Sequence, residues 1–172
     1  MNLSPALLAL GLFVGCSDTA PDVEKHDNGE KKAEGYRLED GTKVGRWTYW
    51  DEKGQKRSEG EHKNGELEGL WTFWHANGKK LRDGGHKNGK NEGRWTFWDE
   101  NGQKQSDGEY KNGELEGRWT FWHANGKKRI EGEFKSGQHE GLWTYWDEDG
   151  SIKHDLSGIY KANKKVAPLP KK

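Results

Sequence analysis

Asp51, His75, Asp99, His123 and Asp147 recur at a spacing of 24 residues. Carboxylates and imidazoles are the side chains that ligate zinc and move protons, so this alternation is the first place to look for chemistry. The spacing argues against it. If each period holds two β-strands, successive rungs stand about 9.6 Å apart, two strand spacings of about 4.8 Å. Ligands that must each approach a zinc ion to roughly 2 Å cannot be shared across that gap. Pairing of surface charges accounts for the Asp/His ladder instead. Asp147-Glu148-Asp149-Gly150 resembles the start of a calcium loop, but it occupies the turn held elsewhere by Asp99-Glu100-Asn101-Gly102, and turn chemistry explains it. The chain has no nucleophile elbow, P-loop or zinc-ligand spacing. We therefore expect neither an enzyme nor a cofactor-binding protein.

The remaining residues that could hold a ligand are aromatic. All ten Trp fall in five Trp-x-x-Trp units, whose second members are Trp50, Trp74, Trp98, Trp122 and Trp146. Exposed indole faces suit sugar rings or choline-like cations; covered ones are structural. Equivalent Trp residues about 9.6 Å apart cannot stack directly, because aromatic pairs need centroids within about 7 Å. Lys56, Lys80, Lys104 and Lys128 recur on the intervening segment, which predicts layered Trp–cation–Trp packing on at least one face.

The elements that carry these residues follow from the same period. Copies begin at Gly45, Gly69, Gly93, Gly117 and Gly141, each opening Gly-[Arg/Leu]-Trp-Thr-[Tyr/Phe]-Trp. Two turn signals recur within each copy, such as Asn77-Gly78 and Asn88-Gly89. These tolerate the positive φ that tight hairpins require. Glycine at this density disfavours helix, at about 1 kcal/mol each. The fold expected is all-β: an elongated antiparallel β-meander built from two-stranded hairpin repeats in a single layer. Strand alternation places Trp47 and Tyr49 on one face and Thr48 and Trp50 on the other. Residues 35–44 read as a half-repeat cap, 45–160 as five repeats and 161–172 as a basic tail. In the last copy the return strand arrives two residues late, at Gly158, which keeps Ile159 and Tyr160 in face parity to cap the stack.

The flanks bear on location. Residues 1–15 are apolar and uncharged, too short for a permanent bilayer span and suited to a signal peptide. They end in Phe13-Val14-Gly15-Cys16, which resembles a bacterial lipobox with Cys16, the only cysteine, as the lipidated residue. Ser17 in place of Asp implies, by the same resemblance, the outer membrane of a Gram-negative cell, with secretion as the alternative. Residues 16–34 are polar and read as a flexible tether. Net charge is zero, with 29 basic and 29 acidic residues interspersed, which disfavours nucleic acid as a partner.

The unit from Trp119 to Gly141, with its aromatic pair, Asn-Gly-Lys turn, Gly-x-[Tyr/Phe] return strand and closing Gly, resembles the MORN-repeat variant family. Members of that family are often labelled YwqK-family antitoxins of toxin–antitoxin systems. The resemblance covers residues 35–160 and implies a repeat β-sheet protein without a shared catalytic residue. Three functions follow as expectations. One is a protein-interaction scaffold in the cell envelope, held to the membrane at Cys16, with an unidentified protein partner. The second is an aromatic-ladder binder of glycan or another envelope ligand. The third, implied by the family label alone, is an antitoxin, which would require a cytosolic protein.

Overall fold

The computed structural model describes residues 20–170; the apolar leader, Cys16 and Ser17 lie outside them. Thirteen strands form one antiparallel sheet in strict chain order. They are β1 (Asp22–Lys25), β2 (Lys31–Arg37), β3 (Lys43–Trp50), β4 (Lys56–Lys63), β5 (Glu66–Trp74), β6 (Lys80–Lys87) and β7 (Lys90–Trp98). The rest are β8 (Lys104–Lys111), β9 (Glu114–Trp122), β10 (Lys128–Lys135), β11 (Gln138–Tyr145), β12 (Gly158–Lys161) and β13 (Lys164–Pro168). The all-β hairpin meander expected from the period is the fold observed.

Each two-residue loop between a return strand and the next copy is a turn with positive φ at both positions, as at Asn64 (53°) and Gly65 (80°). That twist matches the right-handed twist of the flanking strands, which is why Asn-Gly recurs there. A second device is less obvious. Between the pairs Glu59↔Thr72 and Glu61↔Glu68, strand β5 carries Gly69, Leu70 and Trp71 against Gly60 alone. Gly69 has φ 66°, so the strand bulges at every repeat start. The bulge drops the Trp side chain onto the neighbouring strand and lifts the residue before it outward.

The sheet extends beyond the boundaries read from the sequence at both ends. The segment expected as a tether contains β1 and the start of β2. His26-Asp27-Asn28-Gly29 forms the same turn as His75-Ala76-Asn77-Gly78, with Gly29 N–H donating to His26 O as Gly78 N–H does to His75 O. A degenerate copy lacking its Trp pair therefore precedes the cap. At the other end Ala162 and Asn163 take positive φ (47° and 67°), and the segment read as a basic tail turns back to form β13. Both terminal strands are short, charged or Pro-ended, the features that keep sheet edges from pairing with other chains.

Candidate functional site

One face of the sheet is a continuous aromatic ladder. Trp47, Trp71, Trp95, Trp119 and Trp143 are at most 2% exposed. Each indole lies flat on a glycine of the preceding return strand: Trp71 on Gly60, Trp95 on Gly84, Trp119 on Gly108, Trp143 on Gly132. A Cβ on any of these glycines would overlap the ring. Each Nε1–H then donates to the carbonyl one residue further on, as Trp71 to Glu61 O (3.0 Å) and Trp95 to Gly85 O (2.9 Å). The buried polar edge of the indole is thus satisfied. The gap between successive Trp rings is filled mainly by aromatics, with cations over some of them: Lys43 lies over Trp47 at 4.1 Å, and Arg82 over Phe73 and Trp95 at 4.3 and 5.6 Å. Phe73 stands 5.9 Å from Trp71 and 6.3 Å from Trp95, and Tyr110 meets Trp119 edge-on at 5.2 Å. At the end of the stack Tyr160 packs within 5.6 Å of His139.

The opposite face carries the second Trp of each pair, half-buried throughout. Lys56 sits opposite Trp50 in the ladder of strands and sends its Nζ over Trp74 at 5.3 Å. Lys80 bridges Trp74 to Trp98 (5.3 Å) and Lys104 bridges Trp98 to Trp122 (5.1 Å) in the same way. Lys31 and Lys128 lie over Trp50 and Trp146 at 5.1 and 6.0 Å. The layered Trp–cation–Trp packing expected from the sequence exists on this face, with every cation reaching toward the following repeat. Replacing Lys80 and Lys104 together by Ser is expected to lower stability by about 1–2 kcal/mol, at about 0.5–1 kcal/mol per contact. A thermal melt followed by circular dichroism should show the drop, and an unchanged midpoint would refute a stabilising role for these cations.

Surface charge pairing holds at two of the Asp positions, Asp51 with Arg57 (3.9 Å) and Asp147 with Lys153 (2.6 Å), but the His positions have a different basis. His75 Nε2 lies 2.9 Å from Trp98 O, Asn77 Nδ2 donates to Glu100 O and Lys79 Nζ to Asn101 O. His123, Asn125 and Lys127 repeat these contacts on Trp146, Glu148 and Asp149, and His26 and Asn28 make the first two on Trp50 and Glu52. Asp51 and Asp99 instead accept from backbone N–H groups inside their own turns, at Lys53 and Gln55 and at Asn101 and Gln103. A His-type loop thus clasps the Asp-type loop after it, and the 48-residue pair is a mechanical unit as well as a sequence period. Among the described residues no three His, Cys, Asp or Glu side chains converge on a metal site.

Three histidines enter the aromatic ladder, His62 and His86 from the return strands β4 and β6 and His139 from β11, the strand that also carries Trp143. His62 approaches Trp71 edge-on at 5.2 Å and bonds Tyr49 OH and Gly65 O, while His86 stands 5.1 Å from Trp95. His139 stacks on Trp143 at 3.8 Å. Burial pulls all three below the ordinary imidazole value; Arg82 adds to this at His86 and Lys43 at His62. Neither ring nitrogen of His86 makes a hydrogen bond; Phe73 stands where the Tyr49 hydroxyl serves Nε2 of His62. Burial also raises Tyr145 to about 12, helped by its neighbour Tyr160.

A family profile described as the MORN repeat variant matches residues 43–64, 67–90, 91–112 and 115–136, more than half of the chain. No curated protein matches.

Proposed function

Because the chain belongs to the MORN repeat variant family, a repeat array whose residues are spent on stacking, we propose that it is a non-enzymatic protein-interaction scaffold held in the cell envelope. The observation that carries this reading is the distribution of its cavities. Four of them lie open along one sheet face, lined by the same Arg or Leu, acid, Gly and Thr positions of successive repeats. A surface of that kind suits an extended macromolecular partner better than a small substrate, which calls for one enclosed site. Crosslinking the tagged chain in native membranes and identifying what it captures tests the proposal. Recovery of no protein above a tag-only control would overturn it.

The glycan reading rests on the second Trp stripe. Those rings are half-buried and each has a Lys ammonium over it, so the faces a sugar would stack on are already engaged, and the scaffold reading is favoured. The envelope location rests on Cys16 and the leader. Cys16→Ser is expected to release the chain from the membrane fraction without changing its fold, measured by fractionation and immunoblotting. Retention of the Ser variant in membranes would mean that something other than Cys16 holds the chain there, and lack of acylation at Cys16 by mass spectrometry would favour the antitoxin reading or secretion.

A further inference from the structure

The bulge at each repeat start lifts one side chain out of the polar face, giving the row Arg46, Leu70, Arg94, Arg118, Leu142. In three repeats the lifted residue is an arginine facing a glutamate across the ladder: Arg46↔Glu61, Arg94↔Glu109 and Arg118↔Glu133. In the second repeat both members change, to Leu70↔Gly85. Leu70 is 81% exposed, and Gly85 has no side chain to cover it. Single exposed leucines are ordinary on protein surfaces. This one joins two cavities of the polar face, of about 360 Å³ toward Arg46 and about 250 Å³ toward Arg94. The guanidiniums at the two ends are 71% and 72% exposed, while the acids beneath them, Glu59 and Asp107, are 20% and 9% exposed. An exposed guanidinium therefore stands on either side of the apolar gap, each with an exposed glutamate, Glu61 or Glu109, across the ladder from it.

We propose that Arg46, Leu70 and Arg94 form a docking track for an extended polypeptide carrying an apolar side chain with an acidic residue three positions before and three after it. This rests on the scaffold reading and names the partner's chemistry. The match is one of period. A chain extended in the polyproline II conformation has three residues per turn and advances about 9.3 Å over them, so residues three apart face one side at nearly the spacing of successive repeats, about 9.6 Å. A peptide crossing the strands would seat its apolar residue over Leu70 and the Gly84–Gly85 backbone. Its two carboxylates would then meet Arg46 and Arg94, whose planar forks bind carboxylates in bidentate fashion. Glu61, exposed on the rim of the same cavity, repels a polyanion and selects for isolated acids.

The test is a titration of the whole chain with a short Gly/Ser peptide bearing Glu, Leu and Glu at three-residue spacing, followed by amide NMR shifts. Saturable shifts centred on Arg46, Leu70, Thr72, Gly85 and Arg94 are expected. Exchange of the peptide's Glu for Lys, or of its Leu for Ser, should weaken binding about tenfold or more. Leu70→Glu, at an exposed position that leaves packing intact, should weaken it at least as much. Absence of saturable shifts, or affinity unchanged in Leu70→Glu, overturns the track. If a partner crosslinked in membranes is still captured by Leu70→Glu, the scaffold stands and the track fails. If no protein is captured but the peptide titrates as described, the track stands and the scaffold reading is the one that fails.

Discussion

Gly84→Val is expected to split the array at its centre. Gly84 supports the face of Trp95, and any Cβ there would overlap the indole. Trp95 is fully buried, and its Nε1–H bonds Gly85 O, one residue from the substitution, so the ring cannot slide aside without losing that bond. The indole must leave its slot, which costs what truncating a buried aromatic costs, about 3–5 kcal/mol. Repeats in such a sheet contact only their neighbours, so the loss falls on one junction and uncouples the two halves. Urea denaturation followed by Trp fluorescence should then show two transitions where the parent shows one. Trp95→Ala should give a similar loss, and the two changes combined should cost much less than their sum, because each removes the same contact. Additive costs would mean that the stacking of Trp on Gly is incidental. Gly78 provides the contrast. It has positive φ (80°) with nothing within 4 Å of a Cβ, so Gly78→Ala should cost only about 1 kcal/mol from backbone strain.

That contrast separates what was legible in the chain from what was not. The turn glycines announce themselves, because Asn-Gly and Asp-Gly have a local conformational meaning. Gly60, Gly84, Gly108 and Gly132 do not: their role depends on a ring arriving from the next repeat, and that ring reaches them only because the intervening strand bulges. A strand pattern of strict alternation contains no such bulge, although its signal was present in the glycine that opens every repeat. The Trp–Lys ladder could be read ahead of the structure because it follows from spacing alone, the rungs being too far apart to touch. The first and last strands were hidden for another reason. β1 has the spacing of a repeat but Asp22-Val23-Glu24-Lys25 where the others have Trp, Thr, Tyr or Phe, and Trp. A terminal strand has one neighbour and buries little, so the residues that advertise a repeat can be lost from it without losing the strand. His26, repeating His75 in sequence context, was the signal that could have found it.

The array is also expected to lose stability in mild acid, as pH falls below 6.5. His62, His86 and His139 lie in the aromatic ladder with their folded values held below the ordinary 6.5 by burial. As pH falls below 6.5 the unfolded chain takes up these protons while the folded chain refuses them, so the balance shifts toward unfolding. Stability is complete above 6.5, falls from there to the folded values, and is flat below them. Carboxylates contribute in a lower window. Burial works to raise Glu59 and Glu131, but hydrogen bonds from Lys56 and Arg46, and from Lys128 and Arg118, outweigh it and keep both below the usual 4.5. Their share is present above the unfolded value and is lost only as pH falls through the folded one. The share of His62 and His86 can be removed by substitution, because Tyr110 and Phe134 hold their ladder position in other repeats, meeting Trp119 and Trp143 edge-on at 5.2 and 4.9 Å. His86→Phe should give the largest single effect. It removes a ring with two unpartnered nitrogens next to Arg82 and replaces it with one the site already accepts elsewhere. The variant should be more stable than the parent at pH 7 and lose less on going to pH 5, measured as urea midpoints at both values. Parent midpoints that coincide at pH 7 and pH 5 would mean that the ladder admits a charged imidazole, offset by the Trp rings and by backbone carbonyls such as Gly65 O beside His62.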